Sequence, residues 1–309
     1  MGSQTVYVTG AHGFVGSNLM TYLGCDESRC LITVGRSGSD LTYADFEIEA
    51  PAADSAVIHL AGKAHDLRNV SNPQDYDDVN FGLTKRMYDR FATSDATKFI
   101  FASSVKAVAD TVVGKLTEST TPSPSTAYGI SKLRAESYIR NHFASQFKKT
   151  YILRPCIIHG PGNKGNLNLL HELVSRRIPY PLGAFENKRS LLAIENFCFT
   201  IAQILSRPIE PGTYNVADDT PLSTIEMITI ISEAMRKKPL ILSPPRSLMT
   251  QFARLGDHLR LPINSERLQK LTDDYVVCNA ILLQALGRVG MPIDSQAGLM
   301  RTIASLESL

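Results

Sequence analysis

Short apolar runs alternate with stretches of helical periodicity along the first half of the chain. The runs TVYVT, LITV, SAVIHLA, KFIFASS and TYILRP have the length and β-branched content of buried strands. Helical patterns separate them, at FVGSNLMTYL, near residues 73–95 and at residues 126–144. Strands separated by helices pair in parallel through right-handed crossovers. The pattern therefore predicts an α/β fold built on a doubly wound parallel sheet.

The pattern changes after Pro155. Glycine, proline and asparagine interrupt HGPGNKGN and RRIPYPLG, and RSLLAI, a helical stretch near 195–206 and GTYNVAD follow. From Ser223 onward, helices separated by proline and glycine dominate. We expect a sheet domain over residues 1–155, with a return segment at about 187–217, and a smaller, mostly helical region over residues 156–309. This second region is expected to cover the ligand edge of the sheet and to bind substrate.

A glycine loop, TGAHGFVG, follows the first predicted strand and opens a helix. Glycine lets the backbone turn sharply and approach a pyrophosphate, whose charge then meets the helix N-terminus. A glycine triplet alone also fits a plain tight turn, and the spacing here is GxxGxxG, but its place in a βαβ unit favours dinucleotide binding. Residues 1–155 are thus predicted to be a dinucleotide-binding domain of Rossmann type. The residues expected to line the phosphates are Gly10, His12, Gly13, Phe14, Val15 and Gly16.

The end of the second strand bears on the choice of cofactor. A carboxylate there would take the adenosine ribose hydroxyls of NAD, but this strand ends in Gly35, Arg36 and Ser37. Arg36 and Ser37 suit a 2′-phosphate, which favours NADP(H) and leaves NAD(H) as the other possibility. In the alternative interpretation, Arg36 is a solvated loop residue that stacks on adenine. Asp40 and Leu41 are expected at the adenine edge, with the ribose as a second choice for Asp40.

Tyr128 stands four residues before Lys132 in the helical stretch TAYGISKLRAE. Residues four apart share a helix face, so both side chains can reach one point above it. An adjacent ammonium is expected to lower the pKa of a phenol from its ordinary ~10. Such a pair can exchange a proton with a carbinol or a ketone. The plainer alternative is an exposed helix on which the two side chains are merely neighbours.

Composition excludes several classes of protein. The 309 residues carry a net charge of +2 with no run of five like charges, which gives no support to nucleic acid or a membrane surface as the main partner. No run of 18 apolar residues is present. The five cysteines are odd in number and lack metal-ligand spacing. We therefore expect a cytoplasmic protein without a metal site.

Several segments together resemble an extended short-chain dehydrogenase/reductase. They are the glycine loop, HLAG at 59–62, Asn80 within DVNFGLTK, FASS at 101–104, YGISK at 128–132 and LRP at 153–155, in matching order and spacing. The chain is similar over essentially its whole length to the NAD-dependent epimerase/dehydratase family, which acts on nucleotide sugars. This combination is specific for the family and much less specific for the reaction. The family also implies a homodimer through helices near 75–93 and 126–144.

The resemblance implies roles for individual residues of the chemical centre. Tyr128 matches the catalytic acid/base, and Lys132 the residue that lowers its pKa and binds the nicotinamide ribose. Ser104 falls 24 residues before Tyr128, where the family places the hydroxyl that bonds the reacting sugar oxygen; Ser103 is the competing choice. Asn80, by itself an ordinary helix cap, lines the cofactor cleft in the family, as does the backbone of Leu60, Ala61 and Gly62.

Residues 159–166 and 187–194 resemble the segments that hold the nucleoside diphosphate. Arg189 is the main candidate, because a guanidinium matches phosphate in a bidentate way. Asn166 and Lys164 are weaker candidates that fit loop caps or solvated charges equally well. Arg154 is expected to brace the fold.

Three positions depart from the family pattern or are ambiguous. Lys63 and His65 follow HLAG, where they either contact substrate or line the cleft mouth. His159 stands where the family usually has tyrosine and is expected to be structural.

Four reactions are known in such a family, and the sequence discriminates among them. Dehydratases carry an Asp-Glu pair after the catalytic hydroxyl residue, and Val105-Lys106 occupies that place. An epimerase gains from tightly held NAD, whereas a reductase exchanges spent cofactor. The segments SSVK, GPGNKGN and PYPLGAFENKRS resemble the branch that reduces UDP-4-keto-6-deoxy-N-acetylhexosamines for surface polysaccharides. A 4-ketoreductase is therefore expected, with a UDP-sugar 4-epimerase as the alternative. A cofactor-sensing binding protein and a reductase of non-nucleotide substrates are minor ones.

Overall fold

A seven-stranded, fully parallel sheet forms the centre of the molecule, with strand order β10-β7-β5-β4-β1-β2-β3. The computed structural model describes residues 4–49, 51–63, 72–142, 145–163, 167–259 and 264–307. Two short parallel pairs, β8 with β9 and β6 with β11, lie outside the main sheet. The strands are β1 (Gln4–Thr9), β2 (Arg29–Gly35), β3 (Leu41–Thr42), β4 (Ala56–His59), β5 (Lys98–Ala102), β6 (Lys115–Leu116), β7 (Lys149–Pro155), β8 (Ile157–His159), β9 (Leu191–Ala193), β10 (Gly212–Val216) and β11 (Val276–Val277).

Helices cover the sheet and dominate the C-terminal region. A π-helical turn at Asp77–Gly82 joins α3 to α4, and a 3₁₀ turn spans Val105–Ala107. The helices are α1 (Phe14–Gly24), α2 (Tyr43–Ile48), α3 (Pro73–Tyr76), α4 (Leu83–Thr93), α5 (Ala127–Asn141), α6 (Leu167–Ser175), α7 (Ile194–Ser206), α8 (Thr224–Ala234), α9 (Arg246–Leu259), α10 (Ser265–Thr272), α11 (Ala280–Leu286) and α12 (Ser295–Glu307). The predicted doubly wound α/β fold with a helical C-terminal region is confirmed.

Alternation along the strands places apolar side chains on both faces of the sheet. Val6 and Val8 of β1 enter a core with Phe197 of α7, whereas Tyr7 between them enters a second core with Phe91 of α4. A third core unites α6, α8 and α12. The C-terminal region therefore buries its own apolar side chains and is more than a loop on the sheet.

The chain crosses over between β1 and its two neighbours, β2 on one side and β4 on the other. Such a reversal of strand order opens a crevice at the carboxyl ends of the strands. The glycine loop after β1 and residues 60–62 after β4 lie at this crevice. No helix among the described residues is long and apolar enough to cross a bilayer.

Candidate active site

The glycine loop folds tightly against the segment that follows β4. Gly10 has a φ of +71°, and a Cβ on it would lie 2.7 Å from the backbone nitrogen of Ala61. A Cβ on Gly16 would lie 2.1 Å from the Gly10 carbonyl oxygen. Gly13, the N-cap of α1, donates its N–H to that same carbonyl at 3.0 Å. The loop therefore needs glycine, and it presents the N-terminus of α1 at the crevice, as binding of a pyrophosphate requires.

The other predicted residues of this loop differ in exposure. Phe14 and Val15, in the first turn of α1, are partly buried against the main core. His12 is exposed, and its Nε2 lies 3.5 Å from the Ser39 hydroxyl, so it sits beside the turn after β2. The glycine loop and the end of β2 thus form one continuous edge of the crevice.

At the end of β2 the Arg36 side chain is exposed, whereas the carboxylate of Asp40 is hydrogen-bonded to the strand. Arg36 and Ser37 are exposed, and Leu41 begins β3. Asp40 accepts hydrogen bonds of 2.8 Å from the N–H and the hydroxyl of Thr33, and these bonds lower the pKa of its carboxyl. Asp40 is therefore held against the strand, while Arg36 and Ser37 are free to meet a charged group.

Asn80 ties three segments of the crevice together. Its Oδ1 accepts from the backbone N–H of Lys63 at 2.8 Å, and its Nδ2 donates to the Ser131 hydroxyl at 3.0 Å and to the Lys63 carbonyl at 3.2 Å. The residue is fully buried and lies in the π-helical turn. Widened helical turns of this kind often occur at functional sites, where they re-aim a side chain. Asn80 thus fixes the segment after β4 relative to α5.

Residues 60–62 complete this wall of the crevice. Leu60 and Ala61 donate their backbone N–H groups to the carbonyl and the hydroxyl of Thr9 at the end of β1. A Cβ on Gly62 would lie 2.9 Å from Asn80 Oδ1 and 3.2 Å from Lys132 Nζ. Only glycine leaves these two polar groups accessible beside one another.

Lys132 projects from α5 into the floor of the crevice. Its Nζ donates to the Ala102 carbonyl at 2.8 Å and lies 4.9 Å from the centre of the Phe101 ring. Burial lowers the pKa of Lys132 to about 8, and the Glu136 carboxylate one turn away partly opposes this. The ammonium is therefore anchored at the carboxyl end of β5, next to Gly62 and Asn80.

Tyr128 and Ser104 meet across the crevice. Tyr128 lies in the first turn of α5, and the Thr126 hydroxyl caps this helix by accepting from Gly129 N–H. Burial raises the pKa of Tyr128, a hydrogen bond with Ser104 lowers it, and Tyr76 raises it again; the net direction is upward. The expectation that Lys132 would lower this pKa is thus not met here, because the ammonium is directed to Ala102. The phenol stays protonated at neutral pH.

The two adjacent serines point to different places. Ser104 is the N-cap of the 3₁₀ turn, where its Oγ also accepts from Lys106 N–H at 3.2 Å. Ser103 instead donates to Glu136 Oε1 at 2.6 Å, below the crevice. Glu136 is fully buried and also accepts two hydrogen bonds, of 2.9 and 2.6 Å, from Arg154. Ser103 and Arg154 thus serve a buried network that supports α5, and Ser104 is the hydroxyl that faces Tyr128.

A cluster of three cations faces this centre from the C-terminal side. Lys106 Nζ donates to the Asp110 carbonyl at 2.9 Å and lies 4.5 Å from the centre of the Tyr275 ring. Burial lowers its pKa, and the positive charges of Arg189 and Lys270 lower it further. Arg189 donates to the carbonyls of Lys270 and Asp273, while its buried Nε has no hydrogen-bond partner among the described residues. The cluster offers an anion the Arg189 guanidinium and the Lys106 ammonium, while the Lys270 ammonium is paired with Glu266.

Sequence reasoning missed Lys106 as a member of the site. It stands two residues after Ser104, and its identity was used only to argue against dehydration. Its position depends on Tyr275, which lies far away in the sequence and is held by a 2.7 Å bond from its hydroxyl to the Ala109 carbonyl. The signal in the sequence was a lysine at a position that is acidic in the dehydratases.

Other predicted residues lie at the margin or in the core. Lys63 Nζ forms a 2.6 Å ion pair with Asp75 and lies 5.4 Å from the centre of the Tyr76 ring, which itself packs edge-on against Tyr128. His159 is fully buried, with its Nδ1 2.8 Å from the Thr302 hydroxyl, in keeping with a structural role. His65, Lys164 and Asn166 lie outside the described residues.

Comparisons with known proteins agree with this geometry. Residues 6–217 match the NAD dependent epimerase/dehydratase family. A UDP-glucose 4-epimerase from Vibrio cholerae is 29% identical over 82% of each chain, and a GDP-6-deoxy-D-mannose reductase from Pseudomonas aeruginosa is 24% identical over 84% of this chain and 90% of its own. The crystal structure of UDP-N-acetylglucosamine 4-epimerase from Bacillus cereus shares the fold, with a TM-score of 0.77, 20% identity, and coverage of 99% of this chain and 100% of that one. The chain belongs to the NAD-dependent epimerase/dehydratase family, and it is an enzyme of NAD(P)-dependent nucleotide-sugar modification.

Proposed function

We propose that the protein is an NAD(P)H-dependent 4-ketoreductase of a UDP-4-keto-6-deoxy-N-acetylhexosamine, acting in surface-polysaccharide biosynthesis. One observation carries the proposal. Ser104 and a protonated Tyr128 share a hydrogen bond, and the two positions after Ser104 that bear acids in dehydratases hold a buried Val105 and a partly exposed Lys106. A centre with one proton donor and no additional acid/base pair suits the reduction of a ketone better than a dehydration.

The chemistry follows from the protonation states. The sugar carbonyl oxygen lies between the hydroxyls of Ser104 and Tyr128, and both donate to it as negative charge develops. A nicotinamide held beside Lys132 and Asn80 would supply the hydride to sugar carbon 4. Tyr128 then gives its proton to that oxygen, and the hydrogen bond from Ser104, which lowers the pKa of Tyr128, stabilises the resulting phenolate; Lys132 would add to this once its ammonium turned from the Ala102 carbonyl. Because burial raises the pKa of Tyr128, the phenol is in its proton-donating form at neutral pH.

The residues of the crevice fit a dinucleotide. The glycine loop and the N-terminus of α1 would hold its pyrophosphate, and Lys132, beside Gly62 and Asn80, would hold the nicotinamide ribose. NADP(H) is the favoured form, because Arg36 and Ser37 are exposed at the adenine-ribose end while Asp40 is bound to Thr33. Leu41 lies at the same end.

The cofactor preference has a direct test. Arg36→Asp is expected to raise the Michaelis constant for NADPH about tenfold relative to that for NADH, since a charge-assisted contact with phosphate is lost. Lys115→Asp, an equal change of charge at an exposed site on β6, is the control and is expected to leave the ratio unchanged. An unchanged ratio in the Arg36 variant would show that this residue does not contact the 2′-phosphate.

The substrate is proposed to be a nucleotide sugar whose diphosphate meets the cluster of Lys106, Arg189 and Lys270. Ser104 binds the sugar oxygen, and Lys63 contacts the sugar at the cleft mouth. Asn166 and Ser103 were also predicted to contact substrate; we retain Asn166, whereas the hydroxyl of Ser103 is directed to Glu136. The homodimer stays a prediction.

A UDP-sugar 4-epimerase with tightly bound NAD is the second candidate. The similarity to the UDP-glucose 4-epimerase of Vibrio cholerae favours it. Ser104, Tyr128 and Lys132 serve that reaction equally well, because epimerisation combines an oxidation and a reduction at the same carbon. The two reactions differ in whether cofactor is consumed.

That difference supplies the experiment. Purified protein is mixed with a UDP-4-keto-6-deoxy-N-acetylhexosamine and stoichiometric NADPH, and the absorbance of the reduced nicotinamide is followed. Loss of absorbance that depends on the keto-sugar is the expected result. Interconversion of UDP-glucose and UDP-galactose, or of their N-acetyl forms, without added cofactor and without any loss of absorbance would establish the epimerase instead.

A further inference from the structure

One surface of the C-terminal region exposes far more apolar area than its surroundings. Between residues 240 and 255, five large apolar side chains are 38–54% exposed. They are Leu240, Leu242, Leu248, Phe252 and Leu255, and we call these residues together the α9 surface. Single exposed apolar residues are ordinary, but a contiguous group of this kind marks an interaction site.

The helix within this surface is apolar on two sides. Met249, Ala253 and Gly256 turn toward the protein, where Ala253 is fully buried. Leu248, Phe252 and Leu255 lie at i, i+4 and i+7, which places them in one stripe on a different face of the helix. All three are more than half exposed. A stripe with helical spacing that stays about half exposed and belongs to no core cluster of the described residues indicates a partner.

The loop that precedes the helix extends the same surface. Tyr180 and residues 240–242 run side by side through two backbone hydrogen bonds of 2.8 Å. This brings Ile178, which is 48% exposed, close to exposed Leu240 and Leu242. Arg246, at the start of α9, donates to the Ala184 carbonyl at 2.7 Å and so links the helix to the segment that contains Ile178 and Tyr180. The apolar side chains therefore belong to one rigid structural unit.

The sequence segment that carries the α9 surface is strongly basic, although the chain as a whole is nearly neutral. Residues 236–270 contain eight lysines and arginines and only two acidic residues, against a net charge of +2 for all 309 residues. Asp257 accepts from Ser265, which lowers the pKa of its carboxyl, and Glu266 pairs with Lys270, so both carboxylates stay charged and the segment keeps an excess of six positive charges. Arg176 and Arg177 precede Ile178. Exposed apolar side chains flanked by such an excess of cations are the mark of an interfacial helix.

We propose that the α9 surface docks the enzyme on an anionic phospholipid membrane. Leu248, Phe252 and Leu255 enter the boundary between headgroups and acyl chains, while Lys238 and Arg254 meet lipid phosphates. A second copy of the chain is a poorer occupant, since a twofold interface would bring two basic surfaces face to face. The even distribution of charge inferred from the whole sequence concealed this local excess.

The test compares binding of the full chain to two kinds of vesicle. Phosphatidylcholine vesicles containing phosphatidylglycerol are expected to sediment the protein at least about tenfold more effectively than phosphatidylcholine alone, and added salt weakens the binding. Leu248→Gln/Phe252→Gln/Leu255→Gln is expected to lose this binding about tenfold or more. Lys238→Gln/Arg254→Gln is expected to weaken binding and to flatten its dependence on salt.

Matched controls keep the test decisive. Ile48→Gln/Val113→Gln/Val289→Gln replaces three apolar side chains that are at least 77% exposed elsewhere on the protein, and it should bind like the parent. Unchanged melting temperatures and NADPH binding would show that all variants are folded. Absence of binding to the anionic vesicles, or equal binding by the α9 triple variant, would overturn the proposal. It would also be overturned if the parent were a larger particle without lipid and the α9 triple variant were not, since the stripe would then be a subunit interface.

Discussion

The cofactor half and the substrate half of this site are held in place by different means. In the cofactor half, Gly62, Asn80 and Lys132 are fixed to strand ends and to one helix by short hydrogen bonds. In the substrate half, Lys106 and Arg189 come from a 3₁₀ turn and a loop, and Arg189 bonds to carbonyls of a third segment. The first arrangement leaves little freedom, and the second can change with each loop. We therefore expect substitutions in the two halves to affect different steps.

Removing the proton donor should have the largest effect on activity. It should slow the chemical step without changing the binding of the cofactor. Tyr128→Phe is expected to lower kcat about 10²- to 10⁴-fold, because the alkoxide formed on the sugar then lacks its acid. Binding of NADPH should be unchanged. Tyr138→Phe, on the same helix but bonded to Asp89, is the control and should retain activity. Near-normal turnover of the Tyr128 variant would contradict the assignment.

A methyl group at position 16 of the glycine loop should lower both the free energy of unfolding and the affinity for NADPH. Gly16→Ala places a Cβ 2.1 Å from the Gly10 carbonyl oxygen and 2.6 Å from Ala11 Cα. We expect a loss of about 1–3 kcal/mol in the free energy of unfolding and of most NADPH affinity, measured by denaturation and fluorescence titration. Gly24→Ala, at the other end of the same helix with nothing within 4 Å, should be neutral. Equal behaviour of the two variants would show that the loop does not need glycine at position 16.

A change in the substrate half should alter affinity rather than the chemical step. Arg189→Met is expected to raise KM for the UDP-sugar about 10- to 100-fold, the value of a charged hydrogen bond, with a smaller effect on kcat. Arg189→Lys should be intermediate, since it keeps the charge and loses the fork. Lys188→Met, at the exposed neighbouring position, is the control. If kcat fell and KM did not, Arg189 would belong to the chemical half.

The effect on activity should be joined by a dependence of stability on pH that arises from Lys132. Its pKa of about 8 in the folded protein lies below the ordinary 10.5, so the unfolded chain binds more protons between these values. The free-energy cost of the buried charge, up to about 3 kcal/mol, is therefore full below pH 8 and disappears as the pH rises toward 10.5. The stability of Lys132→Met relative to the parent should decline between pH 7 and 9.5. Denaturation at each pH measures this difference, and exposed Lys115→Met should show no such trend.

The fold around the cofactor half could be predicted from the sequence because its signals are local, whereas the roles of its residues stay predictions. The strand that precedes the glycine loop is a short apolar, β-branched run, and three glycines at fixed spacing indicate a close backbone approach. Tyr128 and Lys132 lie on one helix. The interruption of the helix near 73–95 by a π turn was not predicted, since one widened turn leaves no mark on hydrophobic periodicity.

The substrate half depends on contacts that the sequence does not display. Spacing alone favoured Ser104 and left Ser103 as the competing choice, and the fold separates them because Ser103 bonds to Glu136 whereas Ser104 bonds to Tyr128. Lys106 packs on the ring of Tyr275, and Arg189 lies beside Tyr275 in the chain pairing. The pairing of β6 with β11 brings Tyr275 to this position. Long-range placement of this kind follows from tertiary packing rather than from local pattern.

Transfer of isotope from the cofactor tests the central claim most directly. The protein is incubated with a UDP-4-keto-6-deoxy-N-acetylhexosamine and NADPH that carries deuterium at the transferred position of nicotinamide carbon 4, and the product is analysed by mass spectrometry and NMR. Our account predicts one deuterium on sugar carbon 4 in each product molecule, with one oxidised cofactor formed for each. Unlabelled UDP-sugar epimers formed without oxidation of the added cofactor would contradict it.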